Sequence, residues 1–331
     1  MTQGKCHQAL TSSVSVTPLD WLPLFSVLLG LTGALVYGAA DFFGGIAAKR
    51  ISALKVTAIG AASGLVLLLL LLPITGGTWS VQAVTLGALS GISGALAISL
   101  LYACLAIGPM SILSPLTAVI SAMVPLTAGV LRGDRLPPLG YLALGLALLA
   151  VVLVGFVPDR KAVRPSAKAL GMAVAAGALI GVFLIVIDLT PSDSGVVPLI
   201  ANRTVNATLV FTTIGVLAVL ASRRTRRADA AVRADAAGQS PTTPASTPGR
   251  LAHWSPGLRL AIVGGTLDAT ANVLILLGLR AGDLSIMAVL TAMYPAGTII
   301  LAAVLLKELI TPTQGIGLVL ALAAAAMLAL I

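Results

Sequence analysis

The amino-acid sequence predicts an all-α membrane protein with ten transmembrane helices, arranged as two inverted five-helix repeats. Of its 331 residues, 58% are hydrophobic and 9% are charged, whereas a soluble domain carries roughly 25% charged residues. Apolar stretches of about 20 residues recur along the chain, and each can cross the roughly 30 Å hydrocarbon layer of a bilayer. These stretches are continuous rather than alternating, which excludes a β-barrel.

The second half of the chain repeats the first: from Gly91 onward, laid over Gly265 onward, the shift is a constant 174 positions, which superimposes position 134 on position 308. Gly108 then matches Gly282, and 116–118 and 290–292 both read Leu-Thr-Ala. Each copy holds five crossings, an odd number, so the second copy must sit upside down relative to the first. Inverted repeats that face each other across a membrane are typical of secondary transporters.

Proline and glycine separate the predicted helices, as at Pro73, Gly108-Pro109 and Pro137-Pro138. The first repeat spans 22–157 and the second spans 168–331. Almost no residues separate helix three from helix four, or helix eight from helix nine, so each pair is predicted to be an antiparallel hairpin. The ten helices are predicted at 22–47, 55–74, 82–107, 110–131, 138–157, 168–188, 195–221, 257–280, 284–306 and 313–331.

Two segments fall outside this pattern. Residues 1–21 form a polar N-terminal tail without the apolar core of a cleavable signal peptide. Residues 222–256 begin with four arginines and continue with Ala, Asp, Ser, Thr and Pro, a composition that predicts a disordered basic loop.

The net charge of +9 is concentrated in the connections between spans, so we interpret it as a signal for orientation in the plasma membrane rather than for nucleic-acid binding. The positive-inside rule assigns to the cytoplasm the connections that contain Lys49-Arg50, Arg160-Lys161 and the arginines after helix seven. Ten crossings would then leave both termini outside.

Asp268 lies near the middle of helix eight, and Asn272 follows four residues later on the same helix face. Their counterparts in the first repeat, Gly94 and Ile98, are apolar, so the fold does not require this polar pair. A carboxylate in hydrocarbon costs about 2.5–3.5 kcal/mol on insertion scales and normally faces a bundle interior or a wet cavity. A role in substrate or proton binding and a plain interhelical hydrogen bond remain equal alternatives.

Two further acids lie within predicted spans. Asp41 either couples transport to protons or pairs with a basic group near the end of helix one. Asp188 ends helix six and Arg203 lies about two turns into helix seven, so a structural ion pair between them is expected, with a ligand clamp as the alternative.

Helices four and nine carry matched polar residues and prolines. Pro125 and Pro295 each remove a backbone hydrogen bond, and interrupted helices in matched repeats indicate a binding site at mid-depth, although a packing kink has the same signature. Three tyrosines are candidates to line the cavity. The candidate residues of these helices and the tyrosines are Ser114, Thr117, Ser121, Thr291, Tyr294, Tyr37 and Tyr102.

The motifs of soluble catalysis do not occur in the sequence. A phosphate-binding glycine loop with Lys, a G-x-S-x-G motif and a His/Cys cluster are all absent. We therefore expect no enzymatic activity, no cofactor and no metal site. A membrane-embedded enzyme acting on a lipid-linked substrate and a non-transporting scaffold or sensor stay as alternatives.

The chain resembles the EamA family of the drug/metabolite transporter superfamily. The stretch Tyr37 to Gly45 followed by Lys49-Arg50 is similar to the start of a bacterial subgroup, with Tyr37 in place of a tryptophan. Gly133-Asp134 and Lys307-Glu308 stand where the family has a Gly-Glu pair. Arg203 matches an arginine that many family repeats carry early in their second helix, and the first repeat has apolar residues around Ile59 instead.

The resemblance implies ten helices in two repeats and transport of a small metabolite, and it covers the chain apart from the tail and the loop 222–256. It also implies cytoplasmic termini, opposite to the charge count, so the sidedness stays open. We expect a secondary transporter in the plasma membrane that exports its solute and works by alternating access. Proton coupling through Asp268 or Asp41 is a hypothesis, since acids without a nearby cation favour their neutral form. A homodimer stays open.

Overall fold

The computed structural model describes residues 22–48, 50–107, 110–155, 165–235, 255–307 and 310–330. Within these residues the chain is α-helical and contains no strand, which confirms the predicted fold class. The helices are α1 Leu22–Ala48, α2 Ala53–Thr75, α3 Val81–Ile107, α4 Met110–Arg132, α5 Pro138–Gly155, α6 Ala167–Asp188, α7 Val197–Asp235, α8 Ser255–Ala281, α9 Leu284–Thr291, α10 Tyr294–Leu305 and α11 Pro312–Ala329.

Eight segments of the described chain are long and apolar enough to cross a membrane. They lie in α1, α2, α3, α5, α6, α7 and α8 and across α9 with α10. In α4 and α11 the apolar stretches within the described residues are shorter, Leu116–Arg132 and Pro312–Leu328. The polytopic membrane fold is therefore established, and the exact number of ten spans stays a prediction.

Successive spans run in opposite directions, with α9 and α10 forming one span, so the connections lie on two faces of the bundle. Face A holds the connections 76–80, 133–137, 189–196 and 282–283, and face B holds the described connecting residues 50–52, 165–166, 306–307 and 310–311. Arg50, from one of the predicted basic, cytoplasmic connections, lies on face B.

The packing of the helices is the one that two inverted repeats would give. Helix α1 packs against α8 and α10, and its counterpart α6 packs against α3 and α4. Under the repeat, α3 corresponds to α8 and α4 corresponds to α9 with α10. Each repeat therefore places its first helix against the third and fourth helices of the other.

Small residues allow these helices to approach closely, as the spacing of four predicted. Gly60 and Gly64 of α2 lie against Gly265 of α8, where an added Cβ would collide with the facing backbone. Gly177 and Gly181 of α6 lie in the same way against α4.

The ninth predicted span is divided, and the fourth is not. A turn at Ala292 and Met293 separates α9 from α10 directly before Pro295, so the predicted interruption is confirmed there. Helix α4 continues through Pro125, and the same prediction was wrong for that helix. A proline removes one hydrogen bond, and neighbouring helices can accommodate the loss without a break.

Helix α7 continues beyond the apolar span to Asp235. The prediction of a loop from 222 onward was wrong for residues 222–235, because alanine and arginine are good helix formers even where no apolar face exists. Residues 236–254, the rest of that predicted loop, and the N-terminal tail 1–21 lie outside the described residues.

Candidate functional site

The polar centre of the bundle is an ion pair between Arg203 of α7 and Asp268 of α8. The side chain of Arg203 is 12% exposed and that of Asp268 is 23% exposed. Arg203 enters this position across Gly64 of α2, since a Cβ added at Gly64 would lie 3.6 Å from the Arg203 Nε atom. The tighter contacts of such a Cβ, at 3.1 and 3.2 Å, would be with Gly265 and Ala269, so Gly64 lets α2 approach α8 beside the ion pair.

This pair corrects the predicted bridge between Asp188 and Arg203. Asp188 instead accepts a 2.7 Å hydrogen bond from Arg132, at the end of α4 on face A. The reason is depth in the membrane. Asp188 ends α6, whereas Arg203 lies six residues into α7, or roughly 9 Å from the start of that helix.

Asn272 and Tyr37 extend the centre toward α1. Asn272 is buried, and its Nδ2 atom donates a 2.7 Å hydrogen bond to the backbone oxygen of Asp268. The side chain of Asn272 also lies near the Tyr37 hydroxyl, which is within electrostatic range of Arg203 and Asp268. Helix α1 of the first predicted repeat therefore shares a polar centre with α7 and α8 of the second.

The rings of Tyr37 and Tyr294 lie side by side, with centroids 6.0 Å apart and planes inclined by 49°. Tyr294 begins α10, directly after the break in the ninth span. Helices α1 and α10 are also joined here, because the Thr298 hydroxyl of α10 donates a 3.1 Å hydrogen bond to the Gly38 backbone oxygen of α1. The broken helix is thus held against the polar centre.

Asp41 lies one turn after Tyr37, and its side chain is exposed. It is within electrostatic range of Asp268 and Tyr294. In the described part of the chain, Asp41 forms no ion pair, so the alternative of a pair with a basic group near the end of α1 is not observed there.

The exposed side of Asp41 faces a cleft between α8 and α10 rather than the outside of the bundle. Gly38 and Gly44 lie about 60° to either side of Asp41 on the helix. A Cβ at Gly38 would collide with the backbone of α10, and a Cβ at Gly264 of α8 would lie 3.2 Å from the Gly44 nitrogen. Helix α10 thus covers the Gly38 flank, and α8 approaches the backbone of Ala40 and Gly44 on the other side, so Asp41 faces the space between these two helices.

The exposed positions on this face of α1 continue toward face B. Further along the same face of α1, Gly45 and Ala48 are exposed, and a Cβ built on Gly45 would have no atom within 4 Å. In the opposite direction, Tyr37 is half-buried and Ala34 is 3% exposed. We call this opening, lined on α1 by Asp41, Gly45 and Ala48 and ending at Tyr37, the face-B cleft.

Face A is tied together by polar contacts. Asp134, after α4, accepts a 2.7 Å hydrogen bond from the Ser285 hydroxyl and a 3.2 Å bond from the Ser285 backbone nitrogen, and so caps the N-terminus of α9 from another element. Arg280 of α8 donates to the oxygen of Gly195 at 2.8 Å and to the hydroxyl of Ser194 at 3.1 Å. Helices of both predicted repeats are joined at this face.

The remaining predicted site residues fall into three groups. Thr117 and Ser121 are buried and donate to backbone oxygens, of Leu113 and Ala173 for Thr117 and of Ala118 for Ser121, so they serve helix packing here. The Thr291 hydroxyl, at the end of α9, is buried without a hydrogen-bond partner among the described residues. The side chains of Tyr102 and Ser114 lie outside the described residues.

Comparison with known proteins identifies the class of this fold. Residues 167–330, which include helices α6 to α11 of the second predicted repeat, match the EamA-like transporter family, a family of the drug/metabolite transporter superfamily. A solved structure, titled only as the crystal structure of a protein, has a similar fold with a TM-score of 0.61. It is 16% identical in sequence, and the match covers 91% of this chain and 95% of that chain. No curated protein matches the sequence.

If Arg203 and Asp268 form an ion pair, the effects of substituting them on protein stability should not be additive. Arg203→Met should lower the stability of the purified protein by about 3–5 kcal/mol, because it leaves the Asp268 carboxylate without its partner in a low-dielectric interior. The double variant Arg203→Met/Asp268→Asn should recover much of that loss, since no unpaired charge remains. Thermal unfolding in detergent, followed by intrinsic fluorescence, measures both effects. Additive losses in the double variant would show that the two side chains do not interact.

Proposed function

We propose that the chain is a secondary transporter that moves a small polar or amphipathic solute across the plasma membrane by alternating access. The coarser statement, a membrane transporter of the drug/metabolite type, follows from the family. The more specific proposal of alternating access is supported by the exposed Asp41 in the face-B cleft. Asp41 lies one turn from a polar centre built by α1, α7 and α8. A carrier needs a polar site at mid-depth that is reached from one face at a time.

The present conformation matches one of the two states that such a cycle requires. The contact between Asp134 and Ser285 closes face A, whereas the cleft leads from face B to Asp41. By the positive-inside rule, face B is the cytoplasmic face. The solute would then load from the cytoplasm, and opening of face A would release it outside, which is the direction of export.

The broken span provides an element that can move. Helix α10 begins at Tyr294 and contacts α1, whereas α9 is held at face A by Asp134. A hinge at Ala292 and Met293 would allow the two segments to change their relative angle while each stays helical. The cleft could then close over the solute without disturbing the contacts at face A.

Alternating access predicts that face A must open during each cycle. In the double variant Asp134→Cys/Ser285→Cys, oxidation should form a disulfide that abolishes transport in proteoliposomes, and a reductant should restore it. The transported solute would first be found by a growth screen of overexpressing and deletion strains against toxic metabolite analogues.

The single variants Asp134→Cys and Ser285→Cys, treated with the same oxidant, control for the native cysteines and should keep their transport. Full transport by the cross-linked protein would refute the proposed cycle, whatever the charge of the solute.

We also propose that protons drive the cycle through Asp268 or Asp41. The structure supplies Asp268 with a cation, Arg203, so release of Arg203 is the step at which Asp268 would take up a proton. Asp41 has no such partner in the described chain and is the simpler candidate. Uptake should therefore depend on an imposed pH gradient, and Asp268→Asn or Asp41→Asn should lose that dependence. Uptake that ignores the gradient, with Asp268→Asn unimpaired, would remove the coupling proposal.

A further inference from the structure

The polar centre contains two carboxylates, those of Asp41 and Asp268, and one described cation, Arg203. Arg203 is engaged by Asp268, and no Lys, Arg or His of the described chain forms an ion pair with Asp41. The electrostatic neighbours of Asp41 are Asp268, which is also acidic, and the hydroxyl of Tyr294. A carboxylate at this depth requires a proton or a counter-ion, because an unpaired charge there is costly.

The counter-ion can reach Asp41 from solution. Asp41 and Gly45 are exposed on the same side of α1, and no atom lies within 4 Å of a Cβ built on Gly44 or Gly45. Two glycines in succession leave this wall of the cleft without side chains. A group of a few heavy atoms could therefore approach the carboxylate from face B without moving the protein.

Aromatic rings lie beside the same carboxylate. Tyr37 precedes Asp41 by one helical turn, and Tyr294 lies within electrostatic range of it. The paired rings, 6.0 Å apart, present π-electrons that attract a cation at a distance of up to about 6 Å. Acid and aromatic groups in combination favour an ammonium group, quaternary or protonated, over a neutral polar group.

An anionic solute fits the centre poorly. It would have to displace Asp268 from Arg203 while it passed the uncompensated carboxylate of Asp41. The charges at the centre therefore favour a cationic solute over an anionic one.

We propose that the transported solute is an organic cation whose ammonium group binds between Asp41 and the rings of Tyr37 and Tyr294. This inference rests on the proposed transport function and names the substrate class of the same site. Asp41 supplies the counter-charge, and the ion pair of Arg203 with Asp268 closes the inner end of the binding site. Entry of the cation would displace the proton from Asp41, so that the cation and the proton compete for one carboxylate.

A matched pair of probes tests the charge requirement directly. Choline and its neutral isostere 3,3-dimethylbutan-1-ol have nearly the same shape, and benzyltrimethylammonium adds a ring that can stack on tyrosine. Isothermal titration of the full chain in nanodiscs should show binding of at least one of the two cations. The neutral alcohol should bind at least tenfold more weakly than choline wherever choline binds.

Substitutions assign the effect to one carboxylate. Asp41→Asn should weaken cation binding at least tenfold, and Asp41→Glu, which keeps the charge, should retain most of it. Asp193→Asn, in the exposed turn on face A, removes an acid far from the cleft and should leave binding unchanged. Size-exclusion profiles and thermal unfolding would confirm that each variant is folded.

Three results would overturn the proposal: equal binding of choline and the alcohol, unchanged cation binding by folded Asp41→Asn, or no cation binding by folded wild-type protein. The cross-linking assay at Asp134 and Ser285 does not depend on the charge of the solute. A protein that passes that assay and binds no cation would therefore refute the substrate class alone, and a protein that fails it would refute the transport cycle.

Discussion

The ion pair between Arg203 and Asp268 determines which residues can surround it at the centre of the bundle. Two charges at mid-depth are tolerated only when each partner satisfies the other, since an unpaired charge in hydrocarbon costs several kcal/mol. Gly64 of α2 lies beside the pair and allows α2 to approach Gly265 and Ala269 of α8 closely. The pair requires further polar neighbours, which Asn272 and Tyr37 provide. A bundle built only for packing would have no reason to assemble this set from three helices.

The position of Asp41 follows from the same constraint. Its helix is held on both flanks by close backbone contacts, of Gly38 with α10 and of the Ala40 and Gly44 backbone with Gly264 of α8. The acid is therefore fixed in the gap between two helices and is accessible from face B. Close packing on the flanks and an opening between them are what a binding cleft requires, and both arise from the small residues around one acid.

Much of the fold could be predicted from the sequence because hydrophobic length and the placing of Gly and Pro determine where helices lie. The break before Pro295 was found in this way, and Asp268, Asn272, Arg203, Asp41, Tyr37 and Tyr294 were identified as candidates by their polarity alone. Their pairing was not predictable in full. Sequence spacing suggested that Asp188 meets Arg203, but partner choice depends on depth and on which helix faces which, and those follow from packing across the repeats.

The central claim is that water reaches Asp41 through a cleft between α8 and α10. Spin labelling at Gly45 in bilayers tests this most directly, with a label at Leu142, an exposed residue of the membrane-spanning α5, as the lipid-facing reference. The account predicts that a water-soluble nickel complex relaxes the Gly45 label strongly and the Leu142 label weakly, with oxygen showing the reverse preference. A Gly45 label as accessible to oxygen and as protected from nickel as the Leu142 label would place this surface in lipid and contradict the account.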